Sequence, residues 1–413
     1  MANNNKNKIL NVPNLRFPEF TGEWKKVKVS DLLEFFSTNS LSWQQLGYED
    51  GKIKNLHYGL IHKGLPTMVD ISKEPLPFVK GEAPCNYTIC KDGDIAFADA
   101  SEDTNDVAKA IEFINCNNED VICGLHSIHG RDKINSTVVG YKGYAFASFA
   151  FHKQIRRITQ GTKVYSISIK NFNETYIGVP SIKEQTKIAR LLYLIDERIS
   201  TQNKIIEKLQ SLIKGLSQSL LSTKQGWVAY RLDDLVQIKS GYSRTQVCFK
   251  TPYLVSRIET ISKHCIDMSR VGYVQNIPKS YKLNIGDILF SNINSVQYIG
   301  NTAYLDKEYG LYHGMNLLRL IPNSTLIIPR FLHLLLCTDK IINYFQTICN
   351  KAVSQASINQ SALGKTVLFI PSIAVQQHVC DTFESVENKL KLEFTLYKNL
   401  LLQKQYFLQQ MFI

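Results

Sequence analysis

No stretch of about 18 consecutive apolar residues occurs in this sequence, so nothing in it reads as a membrane span. The opening Met1–Lys8 is polar, with no apolar core or cleavage site after it. CxxC pairs are missing too. Nine cysteines, an odd number, fit no secreted disulfide framework, and the expectation is a reduced, cytoplasmic protein. Cys85, Cys90, Cys116 and Cys123, with His126 and His129 nearby, match no standard zinc spacing. Buried, inert thiols without a metal are therefore expected there.

Catalytic signatures are equally scarce. The chain carries no Gly-x-Ser-x-Gly elbow, no His-Glu-x-x-His and no Asn-Pro-Pro-aromatic loop with a Gly-rich cofactor turn. Gly364-Lys365-Thr366 resembles the end of a phosphate loop, but Asn359 stands where its first glycine belongs. Those residues read better as a turn into a strand, Val367–Ile370. Acidic groups at Glu102-Asp103 with Asp106, and at Glu119-Asp120, lack a following Glu-x-Lys and read as solvated loops. His152 and His313 sit beside apolar residues, where hydrogen-bonded structural roles are expected. Acidic charge is in deficit: 48 Lys and Arg against 36 Asp and Glu leave a net +12, which favours a polyanionic partner such as nucleic acid.

What the chain does have is a repeat. Trp24 to Leu33 (Trp-Lys-Lys-Val-Lys-Val-Ser-Asp-Leu-Leu) returns from Trp227 to Val236, an offset of 203 (227 − 24). Gly93-Asp94-Ile95-Ala96-Phe97 returns as Gly286-Asp287-Ile288-Leu289-Phe290 at offset 193. Ser166-Ile167 and Pro180-Ser181-Ile182 return as Ser357-Ile358 and Pro371-Ser372-Ile373 at offset 191. Landmarks in one order at nearly constant spacing imply duplication of half the chain, far above the period of about 20–50 residues of a solenoid.

Four segments follow: mixed strands and helices over 1–180, a helix over 181–222, a second mixed region over 223–370 and a second helix over 371–413. Gly143–Phe151 is apolar and aromatic enough to predict a buried strand. Ser181 with Glu184 predicts a capping box. Along the first helix, Ile188, Ile195, Leu209 and Leu216 share one heptad position, Leu191, Ile205 and Leu212 the next. Leu192, Ile199, Ile206, Ile213 and Leu220 fall beside them. The second helix repeats the stripe with Val379, Val386, Leu400 and Phe407, flanked by Phe383, Leu390, Tyr397 and Met411. Both break to polar at the same place, Gln202 and Glu393 (202 + 191). In an antiparallel pair these two are expected to face one another and fix the register. The fold class expected is α+β, two similar mixed α/β domains separated by two long antiparallel, coiled-coil-like helices.

Val12 to Phe20 (Val-Pro-Asn-Leu-Arg-Phe-Pro-Glu-Phe), followed by Trp24, resembles the start of specificity (S) subunits of type I restriction-modification systems. Ile177-Gly-Val-Pro180-Ser-Ile-Lys-Glu184-Gln185 is similar to their strand-Pro-Glu-Gln-helix signature, and Leu368 to Gln377 repeats it with Val375 in place of Glu184. The resemblance covers essentially the whole chain. It implies two target-recognition domains reading a bipartite double-stranded DNA sequence, and two helices that dock two methyltransferase (M) subunits, with restriction-translocase (R) subunits joining them. It also implies a non-catalytic chain that binds no cofactor itself, with S-adenosylmethionine, ATP and Mg in the partners.

Base readers are expected among Arg, Asn and Gln, with Lys and Arg on phosphates. In the first domain the candidates are Arg156, Arg157, Gln160, Thr162, Lys163 and Tyr165, then His126 and Arg131. In the second they are Lys239, Tyr242, Arg244, Arg257, Asn292, Asn294, Lys351, Ser354, Gln355 and Asn359. Two other readings stay open: a stand-alone DNA-modifying enzyme, and a coiled-coil scaffold that ignores DNA.

Overall fold

The computed structural model describes residues 11–413 apart from 50, 83, 85, 86, 117, 118, 162, 263 and 352–354. Thr162, Ser354 and Cys85 therefore lie outside the described residues. The chain divides into two compact units. Unit 1 is Met1–Lys204 with Thr395–Ile413, and unit 2 is Ile205–Phe394. Each unit thus owns part of each long helix. No described helix is long and apolar enough to cross a membrane.

In unit 1 a five-stranded sheet runs Leu33–Phe36, Ser127–Asp132, Ile95–Ala98, Ala110–Ile114, Met68–Asp70, antiparallel except for the last pair. A four-stranded sheet holds Asp120–Cys123, Ile53–Leu56, Phe78–Val79 and Leu46–Gly47. Unit 2 keeps the first plan with one strand fewer: Val236–Ser240, Leu318–Pro322, Ile288–Phe290, Thr302–Tyr304, all antiparallel.

The registers reproduce the sequence repeat. Lys25–Lys28 pairs with Tyr176–Val179, and Val228–Arg231 pairs with Val367–Ile370 in the same alignment. Ala96 faces His129, while its counterpart Leu289 faces Arg319. The returning strands are therefore related by an offset of 190 (319 − 129).

The long helices span Ile182–Leu220 and Ile373–Gln410. Each begins at a glutamine clamp. Gln185 Nε2 donates to the Pro180 and Ser136 carbonyls while its Oε1 accepts from Val138 N. Gln376 repeats all three bonds with Pro371, Leu326 and Ile328. Satisfying an amide this fully inside the fold ties the first helical turn to the domain behind it. The expected capping box is only half present. Ser181 Oγ accepts from Glu184 N at 3.4 Å, but the Glu184 carboxylate turns instead to Arg16 at 2.7 Å and the Trp24 indole at 3.3 Å. A buried carboxylate gains more from a guanidinium than from one backbone N–H.

Along the first helix the covered face is Ile188, Leu192, Ile195, Ile199, Gln202, Ile206, Leu209, Ile213, Leu216 and Leu220, alternating steps of four and three. Ile205 and Leu212, expected in the stripe, are exposed, because that heptad position lies outside a seam two positions wide. Within unit 1, Asp196 pairs with Lys404 at 2.6 Å, and Ile188 and Leu192 share a core with Leu408 and Met411. In unit 2, Leu216 and Leu220 share a core with Phe383 and Val379. Inside each unit the helix halves run antiparallel.

Gly143–Phe151 is helical, not a strand. Tyr141–Phe146 and Phe149–Ile158 are two helices, the second capped by Ser148 Oγ accepting from Phe151 N at 3.2 Å. A run that is apolar at nearly every position has no readable period, and the Ser148 cap marks the start of the second helix instead.

Candidate nucleic-acid interface

One corner of each unit is assembled from three separate pieces of chain. In unit 1, Tyr165–Ser166 lies antiparallel to Ala100–Ser101, and Gln160 bridges back to Ser166 with both backbone bonds, at 2.8 and 3.1 Å. Gly161 makes the turn at φ +130°, where an added Cβ would lie 2.0 Å from the Val164 carbonyl oxygen, so no other residue fits. In unit 2, Ala356–Ser357 lies between Ile293–Asn294 and Asn350–Lys351. Ser166 opposite Ala100 corresponds to Ser357 opposite Ile293, so the hairpin and its supporting strand are one device built twice.

The third piece is a turn in the left-handed region, at His126 (φ 55°) in unit 1 and Asn316 (φ 65°) in unit 2, again 190 apart. Behind it lies a buried acceptor. Asn292 Oδ1 has no hydrogen-bond partner among the described residues, and its counterpart Asp99 Oδ1 has His126 alone within reach. His126 Nδ1 lies 3.3 Å from Asp99 Oδ1 and would pair with it when protonated. Burial pushes the Asp99 carboxyl above its usual value. An unsatisfied acceptor costs free energy until a donor arrives, and an exocyclic amino group of a base is such a donor.

Unit 1 adds a ring cluster that sequence reading missed. Trp43, 40% exposed, stands 4.5 Å from His57, which neighbours Tyr58, and Tyr58 meets both His62 and His126 edge-on at 5.7 and 5.2 Å. Lys63 lies 5.3 Å above the Trp43 ring. Burial, then the charges of His126 and Lys63, depress the His57 pKa. His62 Nε2 lies 2.9 Å from the Ala100 carbonyl, joining the cluster to the hairpin's supporting strand. His57-Tyr58 with His62 one helical turn on was the available signal. Such rings stack on bases, and an exposed tryptophan beside a lysine suits that role.

The other candidates divide by what their side chains already do. Arg157, Lys163, Arg244, Lys351 and Gln355 are exposed, and so is Gln160, whose backbone bonds Ser166. Arg156 lies over the Phe149 ring and bonds Asn105 at 3.3 Å, and Tyr165 is half-buried beside the hairpin. Lys239 is exposed on the strand edge opposite Arg319. Tyr242 packs on Tyr281 at 5.0 Å, and Arg257 pairs with Glu259 at 3.3 Å. Asn294 holds Ser291 Oγ at 3.1 Å and accepts from Ser295 N at 2.8 Å.

Two candidates have structural employment. Arg131 forks onto Asp94 at 2.8 and 2.7 Å and donates to the Ile89 carbonyl. Asn359 caps Gln360–Gly364 by accepting from Ala362 N at 2.8 Å, as Ser168 caps Ile169–Phe172. His313 is the hydrogen-bonded structural histidine expected, 2.9 Å from the Leu317 carbonyl. His152 differs, since its Nδ1 is buried with no partner among the described residues.

Residues 224–402 match the family described as the type I restriction modification DNA specificity domain. Over 170 residues the chain is 39% identical to the putative type I restriction enzyme MjaX specificity subunit of Methanocaldococcus jannaschii, covering 40% of each. It is 23% identical over 290 residues to the type I restriction enzyme MjaVIII specificity subunit of the same organism, covering 60% of this chain and 64% of that one. The chain thus spans less than two thirds of the curated relatives it matches. Among solved structures, the S subunit of a type I restriction-modification system from M. genitalium is similar, with a TM-score of 0.58 and 14% identity. The alignment covers 97% of this chain and 99% of that one, a likeness of fold.

Proposed function

We propose, from the premise that this chain belongs to the type I restriction-modification specificity-subunit family, that each unit reads one half of a bipartite double-stranded DNA target. The observation that carries this is the doubled corner: one hairpin, one supporting strand and one left-handed turn, with different side chains on each copy. A constant frame with variable tips is what two half-sites of different sequence require. Gln160 and Gln355 read bases, with His126 and the Trp43 cluster beside the first and Asn292 and Asn294 beside the second. Arg156, Arg157, Lys163, Lys239, Arg244, Arg257 and Lys351 hold phosphates, as the +12 charge favours. Tyr165 and Tyr242 shape the two grooves.

In this reading the chain performs no catalysis. It docks two methyltransferase (M) subunits, and restriction-translocase (R) subunits complete a cytoplasmic assembly. S-adenosylmethionine, ATP and Mg act in those partners. The helices supply apolar residues to spare: Leu396, Leu402 and Tyr406 in unit 1, and Leu212, Leu392 and Phe394 in unit 2, are exposed. Surface of that kind marks an interface. Gln202 and Glu393, buried mid-seam in otherwise apolar stripes, set helix register.

The test is to assemble the chain with a methyltransferase subunit and map the adenines it modifies. A two-part target supports the reading. Methylation by the chain alone would make it an enzyme. Absence of salt-dependent DNA binding, alone and with the partner, would make it a scaffold.

A further inference from the structure

Cys90, Cys123 and His129, distant in sequence, meet inside unit 1. Their donor atoms all lie within 4.8 Å of one another, and all three residues are buried. The two sulfurs stand 3.6 Å apart, close to the edge of about 3.8 Å that Zn–S bonds of about 2.3 Å impose on a tetrahedron.

The imidazole is already oriented. Its Nε2 lies 2.8 Å from Asp94 Oδ2, so Nε2 donates to the carboxylate and Nδ1 is the nitrogen turned to the thiols, able to take a metal once it gives up the proton that Asp94 favours on the ring. That Nδ1 is fully buried and has no hydrogen-bond partner among the described residues. A carboxylate behind a histidine whose other nitrogen faces two thiols is the usual surrounding of a metal-bound imidazole.

Unit 2 shows what the same frame holds without such donors. By the strand registers, Cys90, Cys123 and His129 correspond to Leu283, His313 and Arg319. There the Arg319 guanidinium, 5% exposed, lies 2.6 Å from Asp287, and no thiol is present. A fixed cation thus sits over the carboxylate in one copy, where the other copy offers two sulfurs and a nitrogen.

We propose that unit 1 binds a thiolate-preferring divalent metal, zinc by its chemistry, through Cys90 Sγ, Cys123 Sγ and His129 Nδ1. Both thiols and the His129 Nδ1 lose their protons to solvent on binding, and the dication balances two thiolates beside a neutral imidazole, so no oxidant is involved. Three protein donors leave one tetrahedral corner for a fourth ligand. The ion staples Asp120–Cys123 of the four-stranded sheet to Ser127–Asp132 of the five-stranded one, immediately behind the His126 turn.

The full-length chain, purified under reduction without chelator, is expected to carry about one zinc. Exchange for Co²⁺ should produce a thiolate-to-cobalt charge-transfer band. Cys90→Ser and Cys123→Ser should each abolish both signals, while Cys248→Ser, at an exposed thiol, leaves them. A wild-type chain that holds no zinc and gives no band on Co²⁺ titration overturns the proposal, even if the serine variants fail to fold. Full metal content in a Cys90→Ser/Cys123→Ser chain overturns it too, as does a native Cys90–Cys123 disulfide in the intact mass.

Discussion

The two units solve one problem differently at the aspartate of their shared Gly-Asp-Ile-x-Phe segment. In unit 2, Asp287 is met by a single buried arginine, Arg319, which also donates to the Lys282 carbonyl. In unit 1 the work is split. Arg131, two residues further along the strand and 25% exposed, takes the fork and the equivalent carbonyl of Ile89, while His129 occupies the inner position. A repeated backbone therefore conserves the demand for a positive partner without conserving which residue meets it. The inner position freed of arginine became available to other chemistry.

The contrast breaks most visibly by substitution. Arg319→Met leaves Asp287 buried and uncompensated, and should destabilise unit 2 by about 3–5 kcal/mol in denaturant titration. Arg131→Met should cost unit 1 roughly 1–2 kcal/mol, since Asp94 keeps His129 and the arginine lay partly in water. Equal losses would show that the two aspartates are held alike.

Acidification separates the units more gently. Burial pushes His313 down to about 4 and His333 down to about 3 in unit 2, against His152 at about 4 in unit 1. A depressed histidine is neutral when folded, so its contribution is complete above about 6.5 and is lost as pH falls towards the folded value. At pH 5 each such group should cost on the order of 2 kcal/mol. Hydrogen exchange measured by mass spectrometry should show unit 2 opening first, and the reverse order would contradict this assignment.

Recognition gives a further test. Gln160→Ala should relax base preference in one half-site and Gln355→Ala in the other, each by about 1–3 kcal/mol, or roughly ten- to a hundredfold. A loss uniform over all sequences would place that glutamine on phosphates. The smallest effect concerns the paired caps. Ser168→Ala and Asn359→Ala should each cost about 1 kcal/mol in thermal unfolding without changing sequence preference. A changed preference for Asn359→Ala would return that residue to the DNA.

Covalent order carried some of this into view early. The tryptophans, the Gly-Asp-Ile-x-Phe pair and the prolines announce a duplication because identical residues at a fixed spacing need no folding to be compared. The two long helices announce themselves because a period of three and four survives in one dimension. The 143–151 stretch hid its helices because its residues are apolar on every side. Ile205 and Leu212 look like seam residues until the width of the seam is known. Arg131 and Asn359 have the composition of DNA contacts, yet their partners Asp94 and Ala362 N claim them.

By itself, then, the sequence determined a doubled architecture, its two long helices and a basic character, all properties of local pattern and total charge. Only tertiary structure decided which polar groups are already satisfied. It also decided which rings gather around His57, and that Cys90, Cys123 and His129 share one buried point. Those facts depend on strand register, where a shift of one residue turns every side chain to the opposite face, and register is settled by the packing of the whole unit.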